Sequence, residues 1–302
     1  MNPFKYGCVV KGENFCPRPE LAKQLRAFAE AGQNVVIQGE RRIGKTSLVK
    51  NVIGGMRGWR MVFIDLYCIH TISDFCRRVM NGVAAANDHL PFLKKAMALV
   101  HNLRPTLSFD PENGAPVISV DKRAAAEPDS ITAVMRMLEK LGKDGKVCIV
   151  FDEFQDVLNL NHSDTIIAEM RSTIQFQQDT PYFFLGSVRN EMMSIFDSSD
   201  SPFYKSALAF EVGRIESTVF SKFIASRFKV GKRKVDSSTI EAIMKYCDGV
   251  PGDVQELCEA LWGITDAGDT IDETLVPEAL KLIYSREIGG FESVVRRMTR
   301  CK

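Results

Sequence analysis

The stretch Gly39-Glu40-Arg41-Arg42-Ile43-Gly44-Lys45-Thr46-Ser47 constrains this chain more than any other. It fits the pattern G-x-x-x-x-G-K-[ST] and sits in the context that pattern needs. A short apolar run, Asn34–Gly39, precedes it, and a helical pattern over Gly44–Met56 follows. Glycines let the backbone curl until several N–H groups point inward, and the helix start adds its positive dipole end to that nest. A lysine at Lys45 supplies a point charge for β- and γ-phosphates. The Thr46 hydroxyl is an oxygen donor of the kind Mg²⁺ accepts. A chain carrying this loop is expected to fold as an α/β protein with the loop between a central strand and a helix.

The rest of the first two thirds agrees. Met61–Tyr67, Val147–Phe151, Tyr182–Gly186 and Leu208–Val212 are further apolar, β-rich runs. Strands this uniformly apolar predict a parallel sheet covered on both faces. Helical patterns fall at Pro19–Ala31, Ile72–Ala86, Ser130–Leu141 and Thr165–Gln178, an alternation that predicts βαβ units. One segment breaks the alternation. Thr106–Asp110 and Ala115–Asp121 flank Pro111-Glu112-Asn113-Gly114, which predicts an inserted β-hairpin at about 105–121. After Val212 the patterns Ser217–Phe228, Ser237–Cys247, Gly252–Ile264 and Glu273–Ser285 are all helical. The expected organisation is an α/β domain over 1–212, a helical lid over 213–290, and a tail or the start of a further domain over 291–302.

The third apolar run ends in two carboxylates, Asp152 and Glu153. Ligands of open α/β sheets bind at the carboxyl edge of the strands. Asp152 there is expected to orient Mg²⁺, and Glu153 to reach a water in line with the γ-phosphate. The plainer reading of Asp152 is a helix cap. The phosphate loop upstream favours the functional one. The chain carries no Asn-Lys-x-Asp guanine reader, and Glu153 points to water rather than a hydroxyl substrate as acceptor.

Composition excludes little else. The 302 residues are 45% apolar and 25% charged, with a net charge of +1. That is the balance of an ordinary globular chain with a sizeable core. Eight scattered cysteines without a CxxC pair, and four histidines, argue against a zinc site and for reduced thiols in a cytoplasm. The N-terminus lacks the apolar core of a signal peptide, and no run approaches the ~20 apolar residues of a membrane helix.

With these residues on the page, the sequence resembles the archaeal-type ATPase family, a STAND/AAA+-related branch of the P-loop ATPases. The resemblance runs from residue 2 to about 262. It rests on Asn2-Pro3-Phe4, on Phe15-Cys16-Pro17-Arg18-Pro19-Glu20-Leu21, and on Arg41 to Leu48 with its double arginine. Asp152-Glu153-Phe154-Gln155, Arg171 to Gln175, Leu185-Gly186-Ser187, Ser201 to Tyr204 and Gly249-Val250-Pro251 complete it. It implies a five-stranded parallel sheet in the order 5-1-4-3-2. It implies Ser187 as a sensor of the γ-phosphate, and Phe15, Arg18 and Pro251 beside the adenine. The chain departs from the family at Pro17, which stiffens the opening box, and at Lys205, where relatives often carry arginine.

The expected function is therefore hydrolysis of Mg-ATP to ADP and phosphate, coupled to lid movement. The alternatives are a slow nucleotide-gated switch and a DNA-associated ATPase. The candidate catalytic residues are Lys45, Asp152, Glu153, Ser187 and Arg189. The nucleotide residues are Phe15, Arg18, Gly39, Arg41, Arg42, Ile43, Gly44, Lys45, Thr46, Ser47 and Pro251; the metal ligands are Thr46 and Asp152. Arg171 is a weaker candidate for an arginine finger, with a structural ion pair the plainer reading. Asp65 is a weaker candidate at the sheet edge. A protein partner or self-association is the expected output. The basic runs Lys229 to Lys234 and Arg296 to Lys302 give nucleic acid only weak support, because no aromatic residues interleave them.

Overall fold

The computed structural model describes residues 2–86, 97–98, 101–112, 114–121, 128–143, 145–286 and 288. These residues gather into two compact units. One contains Pro19–Glu40 and Leu48–Val212. The other contains the described residues up to Arg18, the loop segment Arg41–Ser47, and those from Gly213 on.

The first unit is built on a sheet of β1 (Val35–Gln38), β2 (Arg60–Asp65), β5 (Val147–Asp152), β6 (Tyr182–Gly186) and β7 (Leu208–Glu211). Its order is β2-β5-β6-β1-β7, and every pairing is parallel. The hairpin strands take the numbers β3 and β4. Counted without them and from the other edge, the order reads 5-1-4-3-2, as the resemblance implied. Central strands β5 and β6 are buried along their whole length, which is why both read as unbroken apolar runs. Helices α1 (Pro19–Glu30), α3 (Ile72–Ala86), α4 (Pro128–Lys143) and α5 (Ser163–Ile174) lie where the periodicity predicts them. Helix α2 (Lys45–Val52) starts directly after the phosphate loop.

The hairpin is real: β3 (Thr106–Phe109) pairs antiparallel with β4 (Pro116–Ser119). Its turn is held by an Asx-type bond from the Glu112 N–H to Asp110 Oδ1 at 2.8 Å. Asn113, expected at the turn, lies outside the described residues, as do the tail 291–302 and its basic run. The side chain of Asn81 on α3 anchors the hairpin. It accepts from the Ile118 N–H at 2.7 Å and donates to the Ile118 carbonyl at 2.9 Å, so an amide completes the strand edge.

The second unit has its own core, in which Phe220 and Ile224 of α7 (Ser217–Val230) meet Ile243 of α8 (Ser237–Tyr246) and Leu257 of α9 (Pro251–Gly263). A 3-10 turn, Glu273–Leu275, leads into a last helix, α10, over 276–286. The unit is not purely helical. Two-residue strands β8 (Lys234–Val235) and β9 (Thr270–Ile271) pair in parallel, a feature too short for periodicity to reveal. The chain's first residues belong to this core. The Phe4 ring lies 4.5 Å from that of Phe228 and 6.2 Å from Trp262, and the Asn2 amide donates to the Glu259 carbonyl.

One aromatic residue ties the sheet core to its carboxyl edge. Phe154, the second residue after β5, is fully buried among the rings of Phe151, Phe184, Phe196 and Phe203, with centroids 4.7–6.0 Å away. Phe154→Ala should cost about 3–5 kcal/mol, seen as a lower urea midpoint with unchanged slope. A change below about 1 kcal/mol would mean that the ring cluster does not anchor the edge.

Candidate functional site

The parallel sheet sets which residues share an edge. Register pairs Asp65 with Asp152 and Gln38 with Gly186, so strand ends β2, β5, β6 and β1 present Asp65, Asp152, Gly186 and Gly39 along one carboxyl border. Asp152 is the last residue of its buried strand and is itself nearly buried. Its Oδ1 accepts the Glu153 N–H at 3.2 Å.

Glu153 stands in the left-handed region, with φ 50°, directly before a 3-10 turn, Phe154–Asn159. A non-glycine residue there is strained, and such strain concentrates at functional positions. The turn swings the Glu153 side chain toward the neighbouring strand's end. Ser187, one residue beyond β6, donates from Oγ to Glu153 Oε2 at 2.8 Å. Gln155 donates from Nε2 to the same oxygen at 2.7 Å. Two of the residues picked from sequence, Glu153 and Ser187, are therefore in direct contact.

Sequence reasoning missed the rest of this network. Gln155 is buried, and its Oε1 has no hydrogen-bond partner among the described residues. Asp156 accepts the Cys68 N–H at 2.6 Å. Burial first, then the charges of Glu153 and Asp65, push the Asp156 carboxyl above its usual range. The signal in the sequence is the run Asp152-Glu153-Phe154-Gln155 itself, whose last residue has no role that spacing alone assigns. Arg189 is exposed at the start of α6 (Arg189–Phe196), a helix the periodicity did not reveal. Arg171 is half-buried in the last turn of α5.

The phosphate-loop residues Arg41–Ser47 have their own supports within the second unit. Gly44 has φ 95°, a conformation that favours glycine. Ile43 is buried, and its carbonyl accepts from Arg18 Nη2 at 2.6 Å. Arg18 Nη1 donates to the Gly213 carbonyl at 2.7 Å. Arg18 is thus a buried strut between the loop and the chain at Gly213. Burial lowers its pKa to about 10, so it remains a cation at neutral pH. Ser47 Oγ accepts the Val10 N–H at 3.2 Å. Lys45 is nearly buried, Thr46 is half-buried and Arg41 is exposed.

Arg42 turns toward helix α9. Its guanidinium meets Asp253 at 2.8 Å and Glu256 at 2.6 Å, both in the opening turns of α9. Pro251 is the first residue of that helix, the position proline suits best. Phe15 is half-buried after the 3-10 turn Gly12–Asn14. In the first basic run Arg233 is not a solvated cation. It stacks on Trp262 with 3.8 Å to the ring centroid and donates to the Thr265 carbonyl.

The described cysteines are free thiols, and Cys148 is buried in β5 as its apolar context suggests. Among the described residues no helix is long and apolar enough to cross a membrane.

Arg18→Lys should lower stability by about 2 kcal/mol in chemical denaturation, because one ammonium cannot span two carbonyls that a guanidinium fork reaches. An unchanged midpoint would show that the strut is dispensable.

No protein-family model and no curated protein matches the sequence. Solved structures do match the fold. The Walker-type ATPase PABY2304 of Pyrococcus abyssi superposes with a TM-score of 0.68 at 19% identity, over 99% of this chain and 81% of that one. The Aeropyrum pernix ORC1 protein, solved in complex with DNA, gives 0.59 at 11% identity, over 90% and 66%. The ORC2 protein of the same organism, solved with ADPNP and ADP, gives 0.53 at 14% identity, over 92% and 72%. At these identities the likeness concerns fold, and the chain has the fold of the archaeal Walker-type P-loop ATPases that its motifs resemble.

Proposed function

We propose that this chain binds Mg-ATP and hydrolyses it to ADP and phosphate. The observation that carries the reading is the Glu153 carboxylate, held by Ser187 and Gln155 at the carboxyl edge of the sheet, next to Asp152. A base fixed in this way is preorganised for the proton of an attacking water. The loop fits a polyphosphate: its glycine conformation, its helix start and the nearly buried Lys45 are the features that a phosphate cradle needs.

Lys45 and the loop N–H groups hold the β- and γ-phosphates in this proposal. Thr46 and Asp152 supply oxygen ligands for Mg²⁺, which would neutralise phosphate charge. Glu153 accepts a proton as a water oxygen bonds to the γ-phosphorus and the bridging oxygen leaves with ADP. Ser187 orients Glu153 and senses the γ-phosphate. Arg189, exposed at the start of α6, is the candidate for stabilising charge in the transition state. Phe15 and Pro251 flank the base, while Gly39, Arg41, Ile43, Gly44 and Ser47 shape the loop. The helices from Gly213 on form the lid that reads nucleotide state. The setting is the cytoplasm, and the output is a protein partner or self-association.

A slower reading has one observation in its favour. Ser187 and Gln155 both donate to one Glu153 oxygen and so occupy the atom that would take the proton. A chain so arranged can act as a nucleotide-gated switch.

The test is phosphate release from Mg-ATP, with nucleotide binding measured in parallel. Glu153→Gln should bind Mg-ATP and turn over at least about 100-fold more slowly than the wild type. Lys45→Ala should lose nucleotide binding. Equal turnover by Glu153→Gln and wild type would sink the assignment of the base. Binding without turnover in both would leave the switch. Separately, Ser187→Ala should lower kcat about tenfold and leave KM unchanged, since it acts by aiming the base in the reacting complex and not by holding the ground-state nucleotide. A rise in KM alone would place Ser187 in ground-state binding.

A further inference from the structure

The double arginine of the phosphate loop suggests two cations for phosphate, yet Arg42 points elsewhere. Its Nη1 lies 2.8 Å from Asp253 Oδ1, close enough for an ion pair though not aligned as a hydrogen bond. Its Nη2 donates to Glu256 Oε2 at 2.6 Å and reaches the Gly252 carbonyl at 3.3 Å. The backbone joins in the other direction: the Gly252 N–H donates to the Arg42 carbonyl at 3.1 Å. Gly252 permits this approach, because a Cβ there would stand 2.8 Å from Arg42 Cβ and 3.1 Å from its carbonyl oxygen. Arg42 itself has φ 65°, a conformation an arginine seldom adopts without being held.

We propose that Arg42 is a positioning residue, a clamp that fastens the phosphate loop to the first turns of α9 and so keeps the loop in its nucleotide-binding shape. The inference rests on the proposed binding of nucleotide at this loop. It assigns Arg42 a different task from Lys45: one shapes the loop, the other meets phosphate. The clamp joins residues 210 apart in sequence, and its ionic half is partly exposed, with Arg42 side-chain exposure of 40%. Its strength therefore falls with ionic strength.

Asp253 and Glu256 would favour the start of a helix even without Arg42, through the helix dipole. A double-mutant cycle separates the two roles. The probe is Mg-ADP, titrated into the full chain by calorimetry. Arg42→Ala and the isosteric pair Asp253→Asn with Glu256→Gln should each weaken binding about fivefold. The three substitutions together should do no worse than the more damaging of the two. The Tm without nucleotide should move by less than about 2 °C. In steady-state ATP hydrolysis KM should rise while kcat at saturation stays constant, a split that mere loss of fold would not give. Wild-type affinity in the acid-pair variant overturns the clamp. So does a combined loss equal to the product of the separate ones, which would mean that Arg42 acts on the nucleotide directly. Lys45→Ala keeps the two proposals distinguishable. If the wild type binds Mg-ADP and Lys45→Ala does not, an unaffected acid-pair variant refutes the clamp alone. If the wild type binds no nucleotide, the function proposed for the loop fails first.

Discussion

A phosphate loop must leave its N–H groups pointing inward, so its own backbone cannot satisfy itself as a helix or strand would. The carbonyls and reversed dihedrals that result need partners from elsewhere. In this chain the partners are the Arg18 guanidinium on the Ile43 carbonyl and the Gly252 N–H on the Arg42 carbonyl. The Val10 N–H on Ser47 Oγ is a third. Each comes from a segment distant in sequence, and each lies in the unit that also holds the chain's opening residues and the helices after Gly213. Anchoring of Phe4 against Phe228 and Trp262 thus has a consequence for the loop: it fixes the segment that carries Val10 and Arg18. The opening Asn2-Pro3-Phe4, remote from any phosphate chemistry, acts through this chain of packing.

The sheet unit solves a different problem. Its two central strands are wholly buried, so their polar groups can appear only where the strands end. Parallel pairing brings those ends to one border. The register that pairs Phe151 with Phe184 carries Glu153 and Ser187 toward each other, and the buried Phe154 pins the turn between them and the core. The carboxylate of Glu153 is thus aimed by packing and by hydrogen bonds together. A close-packed surround tolerates little drift, which suits the role of base proposed for Glu153.

Local features were legible in the sequence because their causes are local. Gly44 and Lys45 declare the loop, unbroken apolar runs declare the buried strands, and the Asp152-Glu153 step marks where β5 leaves the core. The strand order came from likeness to a family and not from spacing, since periodicity carries no information on which strands pair. Arg42 illustrates the limit. Its partners Asp253 and Glu256 look like ordinary helix-start acids when read alone, and nothing within ten residues of Arg42 distinguishes a clamp from a phosphate ligand. Arg233 misleads in the same way: in sequence it belongs to a basic run, yet in the fold it lies on Trp262. Helix α6 and the short β8–β9 pair escaped because eight and two residues give periodicity too few repeats to register.

The geometry around Glu153 carries a tension between aim and availability. Ser187 and Gln155 both donate to Oε2, so the contacts that aim the carboxylate also engage the lone pairs of that oxygen. In the proposed reaction an oxygen engaged by two donors is well oriented, but one donor must give way before it takes a proton. Releasing one donor would free the oxygen and loosen its aim. The proposed hydrolase and the slower switch therefore differ in how long both donors stay on one oxygen. The strained φ of 50° at Glu153 lies at the point where that balance is set, since a small rotation there moves the carboxylate relative to both donors. In the proposed function, turnover is therefore set at the turn after β5, and nucleotide affinity by the loop and the residues that hold it.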